Sequence, residues 1–472
     1  QPKTSIKGKD LFSSESGFKD VLTGFYLSMG STEIYAKEMT YGYLDLLAGN
    51  YDNYPGEVNA TDRYDYESTY AGTKDAIYSK MYNIIANINN FLRYLDENRS
   101  VITTENYYEV MKGEALGLRA FLHFDLLRLF GPVYSVNPQG QAIPYRTTFD
   151  NEATPVLSAE EVVNLVLDDL HEADTLLEKH DSYDFVRSSF GNASDDPFLR
   201  MRMLRMNTYA VKAMLARVYC YKGDDASKAE AVRYAQTVID ADEYFALDEG
   251  HSYLNRWPEH IFSLNIDDFA SILDAQYRTI LSQNVQNSEA DFIMRTQSNF
   301  VLQYERGGIG LTDWRANIEA FLNTGNAFST EYVICQKYNQ NSYEDAYRGK
   351  DIVPLIRLPE MYYIIAECGT PEESASALNV VRESRGIAYA NAIQPAANYD
   401  QPKTDFQYDN TQTTRTYEVM KEYQKEYFSE GQLWFFYKRH NFRTFFTCPL
   451  NDVRSSYQWP LPDNETLFGN NN

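Results

Sequence analysis

Apolar residues in this chain recur every three or four positions, in blocks divided by long polar segments, and that spacing predicts helices. The clearest stripe is Ile77, Met81, Ile84, Ile85, Ile88, Phe91, Leu92 and Leu95, on one face of a helix over 75–96. Residues 104–130 read as the next helix. There Gly113, Ala115, Gly117 and Ala120 alternate with Leu118, Phe121, Leu122, Leu126 and Leu129. Small side chains let a neighbouring helix come close, and the large ones fill the groove between the two. Gly131-Pro132 stops this helix. Ser158-Ala159-Glu160-Glu161 is a capping box that opens another, to about Lys179.

The same reading predicts helix pairs at 15–29 with 31–48, at 207–222 with 226–241, and at 357–369 with 372–384. A last helix runs from Thr416 to Phe428, with another at 431–440. Residues 261–266 form a short strand candidate, and 181–206 read as loop. Recurring helix pairs with Ala at close-contact positions predict a mostly α fold, a tetratricopeptide-like superhelix with minimal β, although the strict repeat signature is absent. We read residues 1–472 as one fold. Its scaffold lies mainly in 75–135, 158–241, 352–386 and 416–440, and its variable loops mainly in 49–74, 251–345 and 388–415.

Composition narrows the function. Lysine and arginine total 43 against 67 aspartates and glutamates, a formal charge of -24. That excludes the basic footprint needed for nucleic acid or for a polybasic membrane contact. The 39 tyrosines exceed what a core needs and predict many half-exposed rings. Such rings can stack on the apolar C–H faces of sugars. Cys220, Cys335, Cys368 and Cys448 share no metal-ligand spacing and indicate no disulfide framework. No apolar run approaches the roughly 20 residues that span a bilayer. The chain lacks an initiator Met and a signal peptide and reads as a trimmed mature protein.

Catalytic signals are thin. Glu422, Glu426 and Glu430 recur every four residues, and such a cluster could supply a glycoside hydrolase with its acid and base, or could be a paired helix face. The six histidines show no ligand spacing, so no metal and no cofactor is expected, and His123 reads as a core residue. Gly307-Gly308-Ile309-Gly310 lacks the Lys-Ser/Thr of a phosphate loop and reads as a turn. Ligand contact is better served by the 49–74 loop. There Tyr51, Tyr54, Tyr64, Tyr66 and Tyr70 alternate with Asp52, Arg63 and other polar residues, off any apolar stripe. Trp257 and Tyr277, flanking the strand candidate, complete the candidate ligand-binding set. Replacing Tyr54, Tyr64 and Tyr66 together by Ala is expected to weaken binding at least tenfold and to spare the fold.

Several blocks, in order, resemble the SusD/RagB family. Tyr82, Ile85 and Asn89 match its Y-x-x-I-x-x-x-N helix, and residues 113–131 its GEA-x-x-LRA helix. Residues 213–219 with Gly223-Asp224, then Asp313-Trp314-Arg315, residues 356–367, Asn379 with Val381-Arg382, Glu426 with Glu430-Gly431, and Trp459-Pro460-Leu461-Pro462 follow its later motifs. Leu433 and Phe436 replace an Arg and an Asp of the pattern, which puts the local ion pairing in question. The resemblance implies a non-catalytic, lipid-anchored glycan-binding protein at the outer-membrane surface of Bacteroidetes, delivering an oligosaccharide to a SusC-like TonB-dependent transporter. The anchoring Cys expected just before Pro2 is absent, which reads as truncation. Peptide cargo, as in the RagB branch, is the alternative; a glycoside hydrolase or a plain helical adaptor are further rivals. The motif residues Glu114, Arg119, Glu360 and Glu430 are expected to form buried charge pairs between helices.

Overall fold

The computed structural model describes residues 10–54, 56–57, 59–150, 152–181, 197–249, 257–277, 293, 295–316, 321–323, 332–335, 337–338, 340, 350–463 and 465. In chain order its main elements are α1 (Glu15–Met29), α2 (Tyr43–Leu47), α3 (Ala71–Glu97), α4 (Tyr107–Phe130), β1 (Gln141–Pro144), β2 (Val156–Ser158), α5 (Ala159–His180), α6 (Thr208–Lys222), α7 (Asp225–Ile239) and β3 (His260–Asn265). They continue with α8 (Phe269–Tyr277), β4 (Arg295–Thr296), α9 (Gln297–Gln303), β5 (Phe321–Asn323), β6 (Tyr332–Cys335), β7 (Ile352–Arg357), α10 (Leu358–Cys368), α11 (Pro371–Ser384), α12 (Thr414–Glu426) and α13 (Gln432–Arg439). Helices dominate, as expected. Packing runs α3–α4–α5–α6–α7–α10–α11 as a succession of neighbouring helices, a tetratricopeptide-like superhelix.

The centre of the scaffold is α4, buried over nearly its whole length from Val110 to Phe130. Its glycines act as the spacing implied: a methyl at Gly113 would lie 2.6 Å from Leu177 Cγ, and one at Gly117 2.5 Å from Met206 Cγ. The capping box on α5 is formed in both directions between Ser158 and Glu161. A helix buried on all sides must pair its charges. Arg119 clamps Asp169 through two bonds of 2.7 and 2.6 Å and gives a third to Asn89. Glu114 holds Arg202 at 2.5 Å, and Glu360 of α10 holds Arg217 of α6 at 2.6 Å. His123 donates or accepts at both ring nitrogens inside the core, against Arg119 O and the Arg146 N–H. Burial brings its pKa down to about 3, so it stays neutral. Arg119→Ala is expected to cost about 1.5–3 kcal/mol, the worth of a charge-assisted hydrogen-bonded pair, read as a lowered midpoint in thermal melts with the helical circular dichroism unchanged at low temperature.

Three expectations need correction. Residues 32–42 form consecutive turns rather than a helix, and within 31–48 only Tyr43–Leu47 is helical. This segment is enclosed on most sides, so it has no solvent face to give it a one-sided stripe. Residues 352–357, assigned to the helical scaffold, are strand β7, antiparallel to β3. All six are buried, and a short apolar run buried on both faces does not reveal its period. The 49–74 loop is shorter than expected, since α3 begins at Ala71, and much of it packs against the body of the protein. Leu433 and Phe436, the departures from the family pattern, are core residues, each 1% exposed.

Candidate functional site

The carboxylate series on α12 and beyond is a buried ion network. Glu422 and Glu426 are fully buried and Glu430 nearly so. Glu422 meets Arg315 at 2.9 Å and Arg382 at 3.4 Å. Glu426 meets Arg357 at 2.8 Å, Arg385 at 3.0 Å and Arg315 at 3.2 Å. Glu430 meets Lys337 and Arg357 at 2.6 and 2.8 Å. Asp313 and Glu259 supply further anions, to Arg315 and to Arg357 and Arg385. Asp313 and Arg315 of the D-x-R block are thus structural. Burial pushes the Glu422 carboxyl up, but Lys425, Arg315 and Arg382 outweigh it and hold it at about 2. A general acid needs the opposite shift and access to substrate, so this cluster is not an acid–base pair.

The sign of the pH dependence follows. A carboxylate whose folded pKa is depressed contributes stability above its unfolded value, here 4.5, and loses it as pH falls toward about 2. Stability measured by urea unfolding is therefore expected to fall steeply between those two values. A flat profile across that window would show that the network does not couple to folding.

The candidate ligand rings are more enclosed than expected. Tyr51, Tyr64 and Tyr66 are 2%, 9% and 6% exposed, and Arg63 is 2% exposed. Each has an internal partner. The Tyr51 hydroxyl donates to Tyr41 O, that of Tyr64 to Leu47 O and that of Tyr66 to Ser456 O. Arg63 grips Glu57 through Nε and Nη2, at 2.8 and 2.6 Å. Tyr54 and Tyr70 are half-buried, Tyr54 stacked on Tyr51 and Tyr70 on Tyr43. Asp52 accepts from the Thr296 N–H and from Asn299 Nδ2, both at 2.8 Å, and so ties the loop to the start of α9. Trp257 is half-buried; Tyr277 closes α8, and its side chain lies outside the described residues. Gly307-Gly308 lie in a turn, as expected.

The 49–74 loop nevertheless contributes one wall of an open concavity of about 660 Å³, lined by Tyr64, Asp65, Tyr66 and Glu67, by Gln141 and Ala142 of β1, and by residues between Ser455 and Leu461. Trp459 lines it too, but is only 1% exposed: its ring packs against Tyr66, centroids 5.3 Å apart, and against Phe130, and its backbone N–H donates to Leu129 O. The rim is polar and exposed: Glu67, Gln141, Ser455 and Gln458. Gln458 Nε2 donates to Gln141 O at 3.1 Å, joining two walls. The Asp65 carboxylate accepts from the Ser68 and Glu67 N–H groups, which leaves it ionised at the edge. Amides, a hydroxyl and carboxylates around an open hollow suit a ligand with many hydroxyls. Of the sequence candidates this concavity takes in Tyr64 and Tyr66. Gln141, Ser455 and Gln458 carried no local signal, and Trp459 was legible only as part of the closing motif. Among the described residues no group of three or more His, Cys, Asp or Glu is placed to hold a metal ion, and no helix is long and apolar enough to cross a membrane.

Comparison with known proteins agrees with this architecture. A family model described as starch-binding associating with outer membrane matches residues 3–193, and the SusD family model matches 277–466. The chain belongs to the SusD/RagB family. It is similar in structure to a SusD-like carbohydrate binding protein from Bacteroides vulgatus, at 16% identity and a TM-score of 0.69, covering 97% of both chains. A SusD superfamily protein from Bacteroides thetaiotaomicron aligns at 17% identity and a TM-score of 0.69, over 97% of this chain and 98% of that one. Another, from Bacteroides fragilis, aligns at 20% identity and a TM-score of 0.65, over 97% and 99%. No curated protein matches the sequence.

Proposed function

We propose that this protein binds an oligosaccharide without transforming it, at the outer-membrane surface, and passes it to a SusC-like TonB-dependent transporter. The observation that carries the reading is the concavity between Tyr64–Glu67, β1 and the closing Trp459 segment. Its volume falls within the range of small-molecule sites, about 300–1,000 Å³. Sugar hydroxyls both donate and accept; Glu67 and Asp65 would accept from them, while Gln141 and Gln458 can do either. Family membership and a structural relative titled as carbohydrate binding support the cargo. The occupation of Glu422 and Glu426 by guanidinium groups supports binding without hydrolysis. In this reading a lipid anchor holds the protein at the membrane, and the protein closes the transporter's mouth as a lid, trapping ligand between the two.

A panel of oligosaccharides and peptides, titrated calorimetrically against the purified protein, tests the proposal. The Glu67→Ala, Gln458→Ala double variant is expected to bind the best oligosaccharide at least tenfold more weakly, about 1.4 kcal/mol. Its stability should stay within about 0.5 kcal/mol of the parent, as both side chains are exposed. Bound oligosaccharide should yield no new reducing ends. Parent-like affinity in the variant would move the site to the 251–345 region, and binding of peptides alone would replace the cargo.

A further inference from the structure

A second cavity lies inside the scaffold, where α4, α6, α10, α12 and α13 meet. It measures about 30 Å³, and its lining includes Arg128, Arg217, Tyr221, Gln432 and Arg439. Three guanidinium groups converge there with one lining carboxylate, Glu360. Both oxygens of Glu360 are taken by Arg217, at 2.6 Å each. Arg439 spends its donors on Glu367 and on Cys220 Sγ. Arg128 pairs with Asp125 and reaches Gln432 Oε1 at 3.4 Å.

What remains is a surplus of donors. Arg128 is 6% exposed, yet among the described residues its Nε has no hydrogen-bond partner. Tyr221 is 6% exposed, and its hydroxyl has none either. Arg217 Nη1 reaches only the Met214 thioether, at 3.7 Å, among the described residues. The Arg128 guanidinium lies 3.7 Å from the Phe435 ring centroid and 5.0 Å from that of Phe124, so it cannot turn toward solvent. A buried N–H or O–H without an acceptor is destabilising, and a native interior seldom leaves several together. Water fills such gaps when it finds both donors and acceptors. The lining acceptors, Glu360 and Gln432 Oε1, each already receive a guanidinium, whereas the open groups are all donors, which an anion accepts without protons of its own to place.

We propose that this cavity is a binding site for a single monatomic anion of the chloride or bromide class, held by Arg128 Nε, the Tyr221 hydroxyl and Arg217 Nη1. The volume admits one such ion. The field favours it: burial, and beside it Arg217, weaken the charged form of Arg128 against the pull of Asp125. Burial also raises the Tyr221 pKa against the opposing fields of Arg128 and Arg439, which keeps its hydroxyl proton available to donate. The ion would tie α4 to α6, so it would act on the stability of the scaffold and not on the ligand concavity.

The test is diffraction from crystals of the intact protein soaked in sodium bromide, with data collected at the bromine absorption edge. An anomalous peak in this cavity is expected. Thermal melts in sodium chloride and sodium gluconate at equal ionic strength should also diverge, with chloride raising the midpoint to a plateau. Tyr221→Phe, which keeps the ring and removes one donor, should shrink that difference. A cavity without anomalous signal, while bromide appears at the surface of the same crystal, overturns the proposal; coincident chloride and gluconate melts in the parent overturn only the stabilising role of the ion. Where diffraction and melts disagree, or the variant does not fold, diffraction on the parent decides.

Discussion

Replacing Glu426 by Ala is expected to destabilise the protein by about 3–5 kcal/mol, the cost of breaking a buried ion pair from one side. Glu426 is fully buried and receives Arg357, Arg385 and Arg315. Its loss leaves three guanidinium groups in the interior to share Glu259, Glu422, Glu430 and Asp313. Asp313 and Glu259 already serve these arginines, and Glu422 and Glu430 also serve Arg382 and Lys337, so a positive charge would remain uncompensated. Domains are stable by about 5–15 kcal/mol in total, so the loss is a large fraction of the whole. Urea unfolding gives the number. Glu426→Gln keeps the size and part of the hydrogen bonding, and should fall between the parent and Glu426→Ala. Glu230→Ala is the control: its pair with Arg233 is exposed and three residues apart on one helix, where about 0.5 kcal/mol or less is expected. If Glu426→Ala melted like Glu230→Ala, the network would specify geometry without contributing stability.

Most helices legible in the sequence have one wet face; α4, buried on nearly all sides, is legible instead from its alternation of small and large residues and its Gly131-Pro132 stop. The stripe from Ile77 to Leu95 found α3 because its other side faces solvent, and Ser158 with Glu161 found the start of α5 because a capping box is local. Gly113 and Gly117 marked close approaches that the structure contains. Period fails where burial is complete, as at residues 34–36 and 39–41 in the turns before α2, and in β7. The concavity failed for another reason. Tyr66 meets Ser456 across 390 positions of sequence, and nothing local distinguishes a loop tyrosine facing water from one capped by a distant carbonyl. The same holds for Glu422, Glu426 and Glu430. Their spacing was plain, but Glu430 lies past the end of α12, and their partners come from β7, α11 and the Asp313–Arg315 turn. Spacing showed that carboxylates gather; only the fold shows that arginines reach them first.

Tyr64→Ala is expected to cost about 3–5 kcal/mol, as large aromatic deletions in a core do. Sequence alone makes Tyr64 a removable platform in a polar loop; the structure makes it a strut. Its ring is 9% exposed and packs on Trp434 with centroids 5.9 Å apart, while its hydroxyl donates to Leu47 O at 2.9 Å. Deleting the ring opens a void beneath the loop and orphans the Leu47 carbonyl near the end of α2. Tyr64→Phe removes only the hydroxyl and should cost about 0.5–1.5 kcal/mol, the net worth of one hydrogen bond. The two variants together separate packing from hydrogen bonding. Glu67→Ala, on the exposed rim of the same concavity, should melt within about 0.5 kcal/mol of the parent. Thermal and urea unfolding of the three variants checks the order. If Tyr64→Ala proved as stable as Glu67→Ala, its ring would be free of the core, and the aromatic loop would regain the role of stacking platform that its composition suggests.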